Sequence, residues 1–199
     1  MPNLTPTSLY GGAILCPLPS SFIDSSTLRE VPSHQEVFLS PTTLTSIIIE
    51  INQHETSTTS DIDAAIYHYR DVVDPADVVS NSTQPVAVTM RKDSLAGFPA
   101  LIMSGMVVSR EKGKADSSGS VLPAEWEQTP STQMVEVQTM MYQLLVRMKM
   151  VETDLCVRIN VPLKEFEGEA GEKEMVFGKE CLEKMVEGLD VKDFGLFEG

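Results

Sequence analysis

Two stretches late in the chain restrict the fold more than any others. In the first, Met140, Tyr142, Leu144, Val146 and Met148 alternate with Met141, Gln143, Leu145, Arg147 and Lys149. In the second, Leu155, Val157, Ile159, Val161 and Leu163 alternate with Asp154, Cys156, Arg158, Asn160 and Pro162. A period of two puts successive side chains on opposite faces of a strand. The connection near Glu152 and Thr153 is short, which suits an antiparallel pair. A long β-hairpin is therefore expected.

Other segments supply partners for it. Residues 46–51 hold Ile47, Ile48, Ile49 and Ile51, a β-branched run too dense for a half-exposed strand, so a central strand covered on both faces is expected. Residues 99–109, apolar at both parities, read the same way. Residues 35–40 form a strand with Val37 and Leu39 on one face and Glu36 and Phe38 on the other. Residues 9–16 read as a first strand, with Gly11 and Gly12 marking a bulge or a close backbone approach. From Asp61 the period becomes helical: Ile62, Ala65, Ile66, Tyr69 and Val73 share a face, Ser60 or Asp61 caps the start, and Pro75 ends the pattern. Met175, Leu182, Met185, Val186 and Leu189 carry a second helix, with Gly188 near its end, followed by an apolar tail docked on the core. Residues 77–97 are compatible with a strand or a short helix. Residues 111–131 read as a long, partly disordered surface loop inserted between strands. The expectation is an α+β fold, a mainly antiparallel sheet flanked by helices, in one domain of 199 residues.

Charge narrows the partners. The chain carries 15 basic and 29 acidic residues, a net charge of −14, which disfavours nucleic acid or an anionic membrane and suits a basic partner. Up to Met90 the only basic side chains are Arg29 and Arg70. No apolar run reaches the roughly 18 residues of a membrane span, and the N-terminus lacks the basic and apolar parts of a secretory signal, so an intracellular location is expected. Cys16, Cys156 and Cys181 are odd in number and widely spaced, which suits buried free thiols better than disulfides or zinc.

Enzyme signatures fail one by one. Gly113-Lys114-Ala115 lacks the leading glycine and the magnesium-binding hydroxyl of a phosphate loop, and there is no Gly-x-Ser-x-Gly elbow. His34, His54 and His68 show no metal spacing, and each is expected on the solvated surface, His68 on the polar side of its helix. No metal or cofactor is expected. A small ligand-binding or hydrolase domain would need a polar constellation in a pocket between sheet and helices, and none is evident in the sequence.

One polar segment, residues 22–38, lies between the apolar anchors Phe22 and Phe38. Asp24 precedes a short helical turn whose free amides its carboxylate can accept, Pro32 and Ser33 break that turn, and Glu36 lies on the following strand. Leu9-Tyr10-Gly11-Gly12-Ala13, Phe22-x-Asp24, Arg29-x-Val31-Pro32 and Gln35-Glu36-Val37-Phe38 resemble the Ran guanine nucleotide release factor family, the Mog-type nuclear import factors. Residues 46–50, the helix from Asp61, Thr153-Asp154-Leu155 and Asp193-x-Gly195-Leu196-Phe197 are similar too. The resemblance implies an α+β fold shared with the PsbP proteins. It also implies a monomeric protein of nucleus and cytoplasm that binds the GTPase Ran, promotes nucleotide release and supports nuclear import. Carried over by position, the acidic residues that contact Ran fall on Asp24 and Glu36; a third acidic position is Ser33 here. The expected Ran-binding surface thus comprises Asp24, Arg29, Ser33, His34, Gln35 and Glu36. For Asp24, capping the turn and binding the partner remain equal alternatives. Arg29 is expected to be structural. A scaffold that keeps the fold without binding Ran is the remaining reading.

Overall fold

The computed structural model describes residues 2–112, 134–164, 166 and 168–197. The expected hairpin lies at the middle of an antiparallel sheet. Strands β9 (Met134–Met148) and β10 (Thr153–Pro162) pair with Arg147 opposite Asp154 and Gln143 opposite Arg158. Their tight connection through Lys149–Val151 closes with Glu152 in the left-handed region, φ 49°.

The other strands extend the sheet from this pair. On one side lie β5 (Ser46–Gln53), β4 (Gln35–Leu39) and the two-residue edge strand β3 (Ile23–Asp24); on the other lies β8 (Ala100–Lys112), against which both β6 (Val78–Ser80) and β7 (Val86–Val88) pair. The undecided segment 77–97 thus supplies two short strands to one edge. Glu111 and Lys112 belong to β8 rather than to a loop, and 113–131 of the expected insertion lies outside the described residues.

Residues 9–16 are not one strand. Strands β1 (Leu4–Leu9) and β2 (Ile14–Pro19) form a hairpin, and Gly11 and Gly12 lie in its turn rather than in a bulge. Tyr10, Gly11 and Gly12 all have positive φ, at 49°, 67° and 99°, a path that glycine follows without a Cβ penalty. The short strand β11 (Asp190–Val191) adds to β2 and completes a second, three-stranded sheet.

The two faces of the large sheet are built differently. Helix α2 (Glu169–Gly188) and the small sheet cover one face, where Ile47, Ile49, Leu144, Val146, Leu155, Val157 and Ile159 pack with Leu182, Met185, Ile14 and Leu18. Gly178 lets α2 approach closely: a Cβ there would lie 3.1 Å from both Tyr142 and Val161. Helix α1 (Asp61–Asp71) covers the other face with Ala64, Ala65 and Tyr69 against Leu101, Met103, Met141, Leu145 and Cys156. Its Ser60 hydroxyl accepts from the Asp63 amide at 3.1 Å, as an N-cap. Buried with this smaller apolar cluster's face are Glu50, His68, Gln143, Arg147, Asp154 and Arg158. All three cysteines are free and buried.

Candidate functional site

The polar segment 22–38 runs along the β3–β4 edge. Asp24 Oδ1 accepts from the Ser26 amide at 2.8 Å, and the Thr27 hydroxyl donates to the Asp24 carbonyl at 2.7 Å. The amides of Leu28 and Arg29 donate to the Ser25 carbonyl at 2.9 and 3.0 Å. This turn holds Asp24 as its cap. Pro32 then accepts from the Gln35 amide at 2.9 Å, and β4 begins.

Register decides which side chains share a face. Asp24 pairs with Phe38, and residues directly opposite in a ladder point the same way, so Asp24, Glu36 and Phe38 face one side. Gln35 faces the other, opposite Glu50. Glu36 is half-buried, and its Oε1 accepts from the Tyr10 amide at 2.8 Å. The Tyr10 hydroxyl lies 3.0 Å from the His34 carbonyl oxygen and 2.9 Å from that of Ile49. One residue of the positive-φ turn therefore fixes both the Glu36 carboxylate and the backbone of His34.

On the opposite face two buried carboxylates act as hubs. Glu50 Oε1 accepts from Gln35 Nε2 at 2.6 Å, Oε2 from Asn52 Nδ2 at 3.2 Å and from Arg158, and His34 Nε2 lies 3.8 Å away. Burial works against the Glu50 charge, but Arg158, Gln35 and Asn52 outweigh it and hold the carboxyl below its usual range. Asp154, fully buried, meets His54 Nδ1 and His68 Nε2 at 2.8 Å each, the Glu55 amide at 2.9 Å and Arg147 Nε at 3.3 Å. Arg147 continues to Asp61 at 2.8 Å, to the Glu55 carbonyl and to His54 Nε2 at 3.1 Å. Because Arg147 can only donate, His54 Nε2 must accept and its Nδ1 carries the proton. Desolvation lowers the His68 pKa, but the Asp154 hydrogen bond, with contributions from Cys156, raises it to about 9. For Asp154, burial opposes ionisation, and His68, the Glu55 amide, Arg147 and His54 together leave the carboxyl below its ordinary range.

Beside this network, residues 52–57 at the end of β5 and the loop after it, with Tyr67, His68, Asp71, Lys149 and Glu152, line a cavity of about 690 Å³. This is the polar constellation that the sequence did not reveal. His68 is buried rather than on a polar helix face, and His54 is largely covered rather than solvated, because both serve Asp154. Only His34 has the expected exposure. The Asp154 oxygens accept four protein donors, so the arrangement locks loop, helix and hairpin together. A signal was available: Arg147, Asp154 and Arg158 occupy one parity of two central strands, and charges there require buried partners. Among the described residues, no group of three or more His, Cys, Asp or Glu could hold a metal ion, and no helix is long and apolar enough to cross a membrane.

The sequence profile of the family described as Ran-interacting Mog1 protein matches residues 7–162. The chain belongs to this family. A Ran guanine nucleotide release factor of Bos taurus is 30% identical over 197 residues, covering 95% of this chain and 94% of the relative. The nuclear import protein MOG1 of Saccharomyces cerevisiae is 30% identical over 217 residues, covering 98% and 85%. The match to a Ran guanine nucleotide release factor of Danio rerio reaches 44% identity but spans 80 residues, 40% of this chain and 43% of the relative. The crystal structure of the Saccharomyces cerevisiae Ran-binding protein Mog1p superposes with a TM-score of 0.62 at 22% identity, covering 99% of this chain and 100% of that one. That likeness speaks for the shared fold.

Within this Mog1-family chain the six residues expected at one surface are only partly brought together. Asp24 and Glu36 share a face beneath which the β1–β2 hairpin packs. Gln35 turns towards Glu50 on the other face. Arg29, Ser33 and His34 are exposed in the connection between them.

Proposed function

We propose that this chain binds the small GTPase Ran, promotes release of its guanine nucleotide and supports nuclear import. It acts as a monomeric single domain in nucleus and cytoplasm, without catalytic chemistry of its own. The observation that carries the reading is the family match over residues 7–162, joined by relatives named as Ran guanine nucleotide release factor and nuclear import protein that align along nearly the whole chain.

A GTPase holds its nucleotide through a phosphate-loop lysine and Mg²⁺. A protein that favours the empty state lowers nucleotide affinity by the same factor with which nucleotide weakens its own binding. Asp24 and Glu36 supply acidic groups on one face, each held in place by a backbone amide, in a stretch, residues 1–90, with only two basic residues. The surface comprises Asp24, Arg29, Ser33, His34, Gln35 and Glu36, with Gln35 and His34 set by Glu50 and Tyr10 rather than aligned with Glu36.

Release of a fluorescent guanine nucleotide from Ran tests this. Glu36→Ala should slow stimulated release about tenfold or more, the scale of losing one member of an interfacial charge pair. Glu36→Gln, which keeps an acceptor for the Tyr10 amide, separates the charge from the support it gives that turn. Ser33→Asp should speed release. Equal rates for wild type and Glu36→Ala would remove Glu36 from the mechanism.

A further inference from the structure

Leu28 lies inside the proposed surface and is 70% exposed; among the described residues, only Met150 is more exposed of the large apolar side chains. Single exposed apolar residues are common and by themselves mean little. Leu28 differs in how it is held. Its amide and that of Arg29 are bound to Ser25, Asp24 caps the turn, and Thr27 ties back to Asp24. The neighbouring apolar residues Phe22 and Val31 are half-buried, so the chain packs apolar groups on both sides of the turn while the leucine stays outside. Around it in sequence stand Asp24, Arg29 and Glu30.

An exposed apolar side chain carried on a hydrogen-bonded turn, with charged neighbours in sequence, can be buried at an interface with little backbone reordering. We propose that Leu28 is the apolar anchor of this surface and inserts into an apolar hollow of Ran, a role that rests on the functional reading above. The division of labour follows from the chemistry. Carboxylates such as Asp24 and Glu36 steer approach and set the association rate, whereas burial of Leu28 sets how long the complex lasts.

The test is the kinetics of the full chain binding nucleotide-free Ran, for wild type, Leu28→Ala, Leu28→Met and Val176→Ala. Val176 is an exposed apolar residue of α2, 55% accessible, and serves as the control. Leu28→Ala should dissociate at least about tenfold faster with an association rate within about twofold of wild type and an unchanged melting temperature. Leu28→Met should bind nearly as wild type, and Val176→Ala as wild type. Dissociation of Leu28→Ala at the wild-type rate overturns the anchor while leaving Ran binding intact. Weaker binding accompanied by a lowered melting temperature also overturns it, in favour of a structural role. A wild-type chain that does not bind Ran at all overturns the functional reading itself and the anchor with it.

Discussion

The two faces of the central sheet solve the same problem with different chemistry. Under α2, the central strands β5, β9 and β10 present mainly apolar side chains, and Gly178 brings the helix close enough for dense contact. Under α1, the same strands present Glu50, Gln143, Arg147, Asp154 and Arg158, and the cover is fastened by ion pairs and hydrogen bonds. The apolar face derives its stability from area removed from water and tolerates modest changes of shape. The polar face derives its order from a closed set of partners, and a single missing member leaves a buried charge exposed to a low dielectric. The difference teaches where the proposed surface gets its precision: Gln35 hangs on Glu50 and thus on the polar face, while Glu36 leans on Tyr10 on the other side.

The comparison is broken most directly at Asp154. Asp154→Ala strands Arg147 and His68 and should cost about 3–5 kcal/mol, read from urea unfolding; a loss below about 1 kcal/mol would mean the polar face holds nothing together. On the apolar face, Met185→Ala should cost about 2–4 kcal/mol through a cavity, with the same dependence on pH as wild type.

Acidity sharpens the contrast next. The His68 pKa is raised in the folded state to about 9, so its contribution is fully present below its ordinary value near 6.5. That contribution is lost as pH rises through about 9, by an amount on the order of 1–3 kcal/mol. The Glu50 and Asp154 carboxyls are held low, so their contribution is present above the ordinary carboxylate range and disappears as pH falls through their lowered values. Melting temperatures followed from neutral to alkaline pH should decline in wild type and flatten in His68→Gln. The smallest effect belongs to the helix cap: Ser60→Ala should cost about 1 kcal/mol by thermal melting, because α1 is also fastened through Asp61 to Arg147.

The elements with long, regular periods could be read before any coordinates. The β9–β10 alternation, the isoleucine run of β5 and the apolar spacing of both helices each specify their own state locally, and together they imply the α+β class that the structure has. The family-bearing blocks were legible for the same reason, being contiguous in sequence. What escaped reading depends on partners far along the chain. His68 reads as polar beside Ile62 and Ile66, yet Ala64 and Ala65 mark the buried face and Asp154, 86 residues on, is what makes an inward histidine affordable. Residues 9–16 look like one strand because apolar residues flank the glycines on both sides. The positive φ values of three consecutive residues, which fold that stretch back on itself, leave no periodic trace.

The small sheet couples the proposed surface to the order in which the chain is made. Ala13, directly after the Tyr10–Gly12 turn, accepts backbone bonds from Lys192 and Asp193 at 2.7 and 3.2 Å, and β11 pairs with β2. The turn that seats Glu36 is therefore clamped by residues synthesised about 180 positions later. During translation, Tyr10 and Glu36 emerge early, but the clamp on their support closes only after residues 190–193 have been added. A nascent or C-terminally clipped chain would carry the residues of the proposed surface without the backbone that holds them still.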